Sequence, residues 1–336
     1  MRSLRYYLPF ALAVLIGLCF VYSTTDVWPE VLRAWPAAVT MVFGSFIAGA
    51  SAEGGGAIAF PVFTLLLKIN PPSARNFSFA IQSFGMVSAT LLILGRGIVI
   101  ERRAILYASI GGIAGLVLGT YWVAPYLQPA TTKIAFVSLW MAFGVGLWRA
   151  NRNKTRIVAQ SLPQSIGTAD IQRLLLVGFG GGIVTSIFGN GIDLVTFCVL
   201  TLWYRIDERI ATPTSVVLMS ILTVSGFALH SVVIGDFGPV EYHAWLAAAP
   251  VAIVFAPLGA YVISRWTRLA IARLLYAIMV VQLIGALYVL GFTLQNILLS
   301  SVIIIAGSWL MIRIDTLASQ RAPQHLSVKP GTGPMD

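Results

Sequence analysis

Residues 44–88 read GSFIAGASAEGGGAIAFPVFTLLLKINPPSARNFSFAIQSFGMVS, and residues 181–225 read GGIVTSIFGNGIDLVTFCVLTLWYRIDERIATPTSVVLMSILTVS. The two stretches align without a gap. Identical residues are Gly44/Gly181, Gly54/Gly191, Phe60/Phe197, Val62/Val199, Thr64/Thr201, Leu65/Leu202, Ile69/Ile206, Ala74/Ala211, Ser78/Ser215, Ser83/Ser220, Val87/Val224 and Ser88/Ser225. In a hydrophobic chain, a duplication of this kind indicates two related halves that enclose a site between them, as in many secondary transporters.

The composition predicts a polytopic membrane protein. Of the 336 residues, 58% are hydrophobic and only 10% are charged, which cannot make a water-facing surface. The net charge of +10 comes from basic residues in short loops between apolar runs, where they set orientation in the bilayer, so we expect no nucleic-acid partner. Cys19 and Cys198 lack metal-binding spacing, and we expect no disulfide, metal or cofactor. We interpret His230, His243 and His325 as incidental.

Several apolar runs are long enough to cross a bilayer, which takes ~20 residues. They are 7–23, 76–94, 104–124, 132–148, 210–232, 243–263, 274–291 and 295–312. Two further stretches, 36–68 and 172–203, are too long for one crossing, and each has a glycine-rich break near its centre, at 51–56 and 188–193. Glycine favours a turn over a helix, so each stretch is predicted to be a helical hairpin, either re-entrant or fully crossing.

The distribution of basic residues supports the hairpins, because cytoplasmic loops carry an excess of Lys and Arg. The chain has 22 Lys and Arg residues. With two hairpins, every one of them lies on the cytoplasmic side apart from Arg33, Lys68, Arg75 and Lys133. With two single spans instead, the basic run at 149–156 falls outside. The hairpin topology therefore predicts cytoplasmic N- and C-termini in a cell membrane, of the bacterial inner-membrane type.

This topology gives an all-α membrane protein with two inverted-topology repeats, each a hairpin plus three transmembrane helices, and one extra helix at each end. The predicted divisions are 1–35 (first helix and external loop), 36–148 (repeat 1), 149–171 (basic cytoplasmic linker), 172–291 (repeat 2), 292–313 (last helix) and 314–336 (disordered tail). We expect the first helix to be retained rather than cleaved as a signal peptide.

Two acidic residues, Glu53 and Asp193, lie inside the hydrophobic stretches, each at a hairpin break. A carboxylate at membrane depth costs ~2.5–3.5 kcal/mol on insertion scales. Two interpretations stay open for each residue. Either the carboxylate caps a half-helix by accepting backbone N–H bonds, or it carries a proton or cation and so couples transport to an ion.

The glycines at the breaks are candidates for an anion site, because helices that begin after a break present free N–H groups. The candidates are Gly54, Gly55, Gly56, Asn190 and Gly191, with Ser78, Gln82 and Ser215 on the following helices. The alternatives are close backbone packing for the glycines and interhelical hydrogen bonds for the polar residues. We expect a bulky side chain at Gly55 to fill the site, whereas Gly111, Gly115 and Gly119 form a helix-packing face.

The block from Glu53 to Pro61, EGGGAIAFP, is followed by Ala74 and by Gln82 and Ser83, and it has a degenerate copy around Gly191. This pattern resembles the sulfite exporter TauE/SafE family over roughly residues 36–291. The resemblance implies a membrane transporter of small anions such as sulfite and organosulfonates. The second copy departs from the pattern, since Asn190 and Ile192 interrupt its glycine run.

Together these observations predict a transporter that moves a small anion across the bilayer by alternating access, with proton coupling through Glu53 as an added hypothesis. The alternative is a membrane receptor or scaffold. An enzyme is not expected, because no histidine lies near Glu53 or Asp193 in the sequence and neither GxSxG nor HExxH occurs. The solute, the direction of transport and the oligomeric state, including a homo-oligomer, stay open.

Overall fold

The structure is a computed structural model that describes residues 4–51, 54–152, 159–163, 167–263, 265–266 and 268–321. Within these residues the regular elements are helical, apart from one isolated bridge between Ala159 and Ile206. The helices are α1 Tyr7–Thr24, α2 Trp28–Arg33, α3 Trp35–Ala50, α4 Gly56–Pro61, α5 Pro71–Gly95, α6 Arg102–Trp122, α7 Pro129–Arg152, α8 Thr168–Phe188, α9 Ile192–Leu202, α10 Glu208–Ala228, α11 Pro239–Ile263, α12 Arg268–Leu290 and α13 Leu294–Arg321. The all-α prediction is confirmed.

Seven helices in the described part of the chain are long and apolar enough to cross a membrane, namely α1, α5, α6, α8, α10, α11 and α13. The predicted spans 132–148 and 274–291 correspond to α7 and α12, which have 24 and 23 residues. A polytopic membrane fold is therefore confirmed. Of the predicted linker, residues 153–158 and 164–166 lie outside the described residues, as do residues 322–336 of the predicted tail. Helix α13 continues to Arg321, so the start of the segment that was predicted to be disordered is helical.

Both long apolar stretches are broken where the glycines predict it. The first ends its helix at Ala50 and resumes at Gly56, and the second ends at Phe188 and resumes at Ile192. The resumed arm α9 has 11 residues, about 16 Å at 1.5 Å per residue. Helix α4 continues as a π-helix to Leu66, which makes the first arm equally long. Each resumed arm thus covers about half of a ~30 Å hydrocarbon core.

The two hairpins end in the same local structure. Lys68 and Arg205, which occupy equivalent positions in the duplication, have φ angles of 57° and 56° and are the non-glycine residues with positive φ in the described chain. After each of them the chain closes the same turn, because Ile69 N–H donates to the Phe63 carbonyl and Ile206 N–H to the Leu200 carbonyl, both at 2.9 Å. The duplication is therefore structural as well as sequential, while the inverted orientation of the halves stays a prediction.

Small residues let the two halves pack closely and reciprocally. The first arm of the second hairpin, α8, packs on α6, where Gly115 lies against the Phe179 carbonyl. The first arm of the first hairpin, α3, packs on α11, where Gly49 lies against the Ala256 carbonyl. A Cβ atom at either glycine would collide with backbone, which explains the need for glycine. The predicted packing face on α6 is confirmed.

The end of the linker identifies one end of the helical bundle. Ala159 N–H donates to the Arg205 carbonyl at 2.8 Å, and Asp207 N–H donates to the Ala159 carbonyl at 3.0 Å. Glu101, at the start of α6, accepts a hydrogen bond from Leu162 N–H at 2.9 Å. We call this the linker end, and the opposite end, where α5 and α11 begin, the far end. The hairpin topology places residues 159 and 205 on one side, whereas single spans would separate them.

Candidate anion site at the hairpin tips

The two glycine-rich breaks meet inside the bundle. A Cβ atom on Gly54 would lie 2.6 Å from Asp193 Oδ2 and 2.8 Å from Gln82 Oε1, and one on Gly56 would lie 2.7 Å from the side-chain carbon Cγ of Asn190. These contacts leave no room for any side chain at either glycine. The structure thus brings together the predicted site residues Gly54, Gly56, Asn190 and Asp193, which the sequence places more than a hundred positions apart.

Gln82, on α5, bridges the two tips. Its Oε1 accepts a hydrogen bond from Gly55 N–H at 3.1 Å, and its Nε2 donates to the Gly189 carbonyl at 3.0 Å and to the Ser78 carbonyl at 3.2 Å. An amide side chain has both an acceptor and donors, so this one buried residue can satisfy one backbone group on each tip. Gln82 is therefore the central polar residue of the candidate site.

Asp193 is the second residue of helix α9 and is fully buried. Its Oδ1 accepts hydrogen bonds from Gly191 N–H and Leu194 N–H, both at 3.0 Å, which fits the capping interpretation. Its Oδ2 is buried, faces Gly54 and has no hydrogen-bond partner among the described residues. Capping thus accounts for one carboxyl oxygen and leaves the other without a structural role.

The turn of the second tip depends on glycine and on Thr185. Gly189 ends α8 with a φ of 79°, and Gly191 has a φ of 137°, conformations that L side chains rarely adopt. Thr185 Oγ1 accepts a hydrogen bond from Ile192 N–H at 2.9 Å. The N–H groups of Gly191 and Ile192 are therefore already bonded within the tip, so an anion would have to compete for them.

Of the remaining predicted site residues, Ser78 lies at a tip, Ser215 bonds within its own helix, and Glu53 is not described. Ser78 is buried at the second tip, since a Cβ atom on Gly189 would lie 2.6 Å from its Cβ, and its Oγ has no hydrogen-bond partner among the described residues. Ser215 instead donates to the Ala211 carbonyl of its own helix at 2.9 Å, and no described hydrogen bond joins it to a tip. Glu53 lies outside the described residues.

The expectation that a bulky side chain at Gly55 would fill the site is wrong, because a side chain there would point in another direction. A Cβ atom on Gly55 would point away from the second tip, toward Ala48 Cβ and Met41 Cε of helix α3, each at 3.3 Å. A bulky side chain there would disturb the packing of the first hairpin before it reached the site. The glycines whose missing side chains face the second tip are Gly54 and Gly56.

A partly buried cluster of Arg75, His230 and Asp236 at the far end was not predicted. Arg75 is 7% exposed, and its Nη2 lies 3.3 Å from Asp236 Oδ2, while His230 Nδ1 lies 2.8 Å from Asp236 Oδ1. The sequence interpretation treated Arg75 as a loop residue and His230 as incidental. One signal in the sequence could have placed Arg75 correctly. Asn70 followed by Pro71 is typical of a helix start, which puts Arg75 in the first turns of a helix rather than in a loop.

Comparison with known proteins identifies the family. Residues 37–288 match the family model of the sulfite exporter TauE/SafE. The chain belongs to this family. Both glycine-rich breaks, Gln82 and Asp193 lie within the matched residues, and the resemblance in the sequence is confirmed. No curated protein and no solved structure matches the chain. Members of the TauE/SafE family are membrane anion exporters rather than enzymes, so the family indicates membrane transport, and the fold is that of a polytopic membrane protein.

Proposed function

We propose that this TauE/SafE protein is a secondary transporter that moves a small anion, such as sulfite or an organosulfonate, across the cell membrane by alternating access. The observation that carries the proposal is the meeting of two glycine tips, one from each copy of the duplication, at the amide of Gln82. Transporters built from repeats bind their substrate where broken helices meet. The family membership supports an anion as the substrate.

The close contact of the tips supports a closed arrangement that opens during the cycle. No side chain could be accommodated between Gly54 and Asp193, so a solute can enter only if the tips separate. The reciprocal packing of α3 on α11 and of α8 on α6 gives each half a rigid partner in the other half. Movement of one such pair against the other would separate the tips and expose the site to one side at a time.

We further propose that Asp193 takes part in ion coupling, beside the earlier candidate Glu53. A charged carboxylate in this buried position is costly, and Oδ2 is the oxygen without a described partner. A proton on Oδ2 would remove the charge while Oδ1 keeps its capping bonds. Moving one negative charge out of a cell held 100 mV negative inside releases ~2.3 kcal/mol, so export of a monoanion needs no coupled ion. Import must overcome the same free energy, and a proton carried by Asp193 would offset it.

The proposal is tested with the purified full-length protein. Thermal unfolding is measured with sodium sulfite, sulfate, methanesulfonate and acetate, against sodium chloride at equal ionic strength, because a ligand that binds only the folded state raises its stability. We expect sulfite or methanesulfonate, but not acetate, to raise the unfolding temperature and to be transported in proteoliposomes. Absence of both responses for every sulfur oxyanion would overturn the proposed function.

A further inference from the structure

Two cavities lie at equivalent positions of the duplication and at opposite ends of the bundle. The far-end cavity, ≈ 130 Å³, is lined by Pro71, Pro72 and Arg75. The linker-end cavity, ≈ 450 Å³, is lined by Glu208, Arg209 and Thr212, which are the residues that align with those three. The same element, the first turns of the helix after each hairpin, therefore forms the wall of a cavity at each end.

The far-end cavity adjoins the second tip. Ile187, which lines it, lies two positions before Gly189. A Cβ atom on Gly189 would lie 2.7 Å from the carbonyl oxygen of Arg75, so the backbone of Arg75 is in contact with the tip itself. The far-end cavity is therefore next to the second tip, where the Gly189 carbonyl accepts the hydrogen bond from Gln82.

Arg75, which lines this cavity, carries a positive charge on a buried side chain. Its side chain is 8% exposed, whereas that of its ion-pair partner Asp236 is 40% exposed. Its Nε donates to Asn76 Oδ1 at 3.0 Å and its Nη2 to Asp236 Oδ2 at 3.3 Å, and His230 Nδ1 lies 3.5 Å from the same Nη2. The buried carboxylate of Glu241 adds a second negative charge near Arg75, while Nη1 has no hydrogen-bond partner among the described residues. A guanidinium has five N–H donors in a planar fork that suits oxyanions, so this one retains donors for a ligand.

We propose that Arg75 is the docking residue for the transported oxyanion at the far end, and that Asp236 is a resident counterion which the arriving anion displaces. This inference rests on the proposed transport function. Asp236 can move into water because its carboxylate is already partly exposed. The equivalent position in the linker-end cavity is the neutral Thr212, so docking through a buried cation belongs to one end of the path.

The test uses two variants with opposite expected effects. Purified full-length wild type, Arg75→Gln and Asp236→Asn are titrated with sodium sulfite and sodium methanesulfonate, with the rise in unfolding temperature as the readout. Arg75→Gln should weaken half-maximal binding about tenfold or more, because a charge-assisted bond is lost. Asp236→Asn should tighten it severalfold, because the competing carboxylate is gone. Arg33→Gln is the control, since Arg33 is an exposed cation at the same predicted face.

The outcomes separate the inference from the proposed function. If Arg75 and Asp236 form only a structural ion pair, both variants lower the unfolding temperature without ligand, and neither tightens anion binding. Wild-type stabilisation with unchanged affinity in Arg75→Gln overturns the docking role alone, whereas no wild-type response to either anion overturns the transport proposal as well. If Arg75→Gln does not fold, the Asp236→Asn variant decides: tighter anion binding than in the wild type supports the docking role, and unchanged or weaker binding overturns it.

Discussion

The side-chain oxygen of Gln82 accepts a hydrogen bond from the backbone N–H of Gly55 at 3.1 Å. The nitrogen of the same amide donates to the Gly189 carbonyl at 3.0 Å, so a single residue on α5 joins the two broken hairpins. Hydrogen bonds to buried backbone groups matter because the orphaned group keeps its full desolvation cost. Because Gln82 satisfies one backbone group on each tip, it stabilises both tips and also holds them next to each other.

Replacement of Gln82 by Leu should therefore destabilise the tips and abolish transport. Two buried backbone groups lose their partners, and each orphaned group costs about 1–3 kcal/mol. The unfolding temperature and the sulfite flux in proteoliposomes are measured together. Gln128→Leu is the matched control, because Gln128 is exposed at the far end. Equal stability and equal flux in the two variants would contradict the bridging role of Gln82.

Replacement of Asp193 by Asn separates the capping role from the coupling role. Asn keeps a side-chain oxygen that can accept the hydrogen bonds from Gly191 N–H and Leu194 N–H, so folding should be retained, but it carries no exchangeable acidic proton. We expect Asp193→Asn to transport without response to an imposed pH gradient. Asp207→Asn is the control, because Asp207 caps α10 through Arg209 N–H at 2.8 Å. A wild-type response to the gradient in Asp193→Asn would leave Asp193 as a cap only.

A valine at Gly115 should damage folding rather than transport. Its Cβ would collide with the Phe179 carbonyl of α8, and overpacking of this kind costs about 1–3 kcal/mol or more. Gly180 on α8 has no atom near its Cβ position and provides the control. The measurement is the yield of monodisperse protein and its unfolding temperature. Gly115→Val protein as abundant and as stable as Gly180→Val would show that the close helix contact is absent.

Topology reporters test the orientation. Fusions at Gln160 and Ser319 should report the cytoplasm, and a fusion at Gly238 should report the outside. The hydrogen bonds of Ala159 with Arg205 and Asp207 support a shared side for the linker and the turn after the second hairpin. An external signal at Gln160 would contradict the hairpin topology and, with it, the inverted repeats.

The sequence predicted the helical class, the breaks and the family, because hydrophobic length and glycine clusters act locally along the chain. The direction of each missing side chain depends on how the hairpins are rotated in the bundle, so the sequence could not show that a Cβ atom on Gly55 would point toward α3 and one on Gly56 toward Asn190. Contacts between residues on distant helices could not be predicted from the sequence either. Neither the bond from Gln82 to Gly189 nor the ion pair of Arg75 with Asp236 leaves a signal in a single sequence.

The central claim is that the transported anion passes between the two tips. The most direct measurement is sulfite flux into proteoliposomes by Gly56→Leu, compared with wild type and with Gly180→Leu, whose side chain would enter open space. A leucine at Gly56 would enter the space held by Asn190. We predict that Gly180→Leu transports like wild type, whereas folded Gly56→Leu loses transport. Wild-type flux through folded Gly56→Leu would contradict the account.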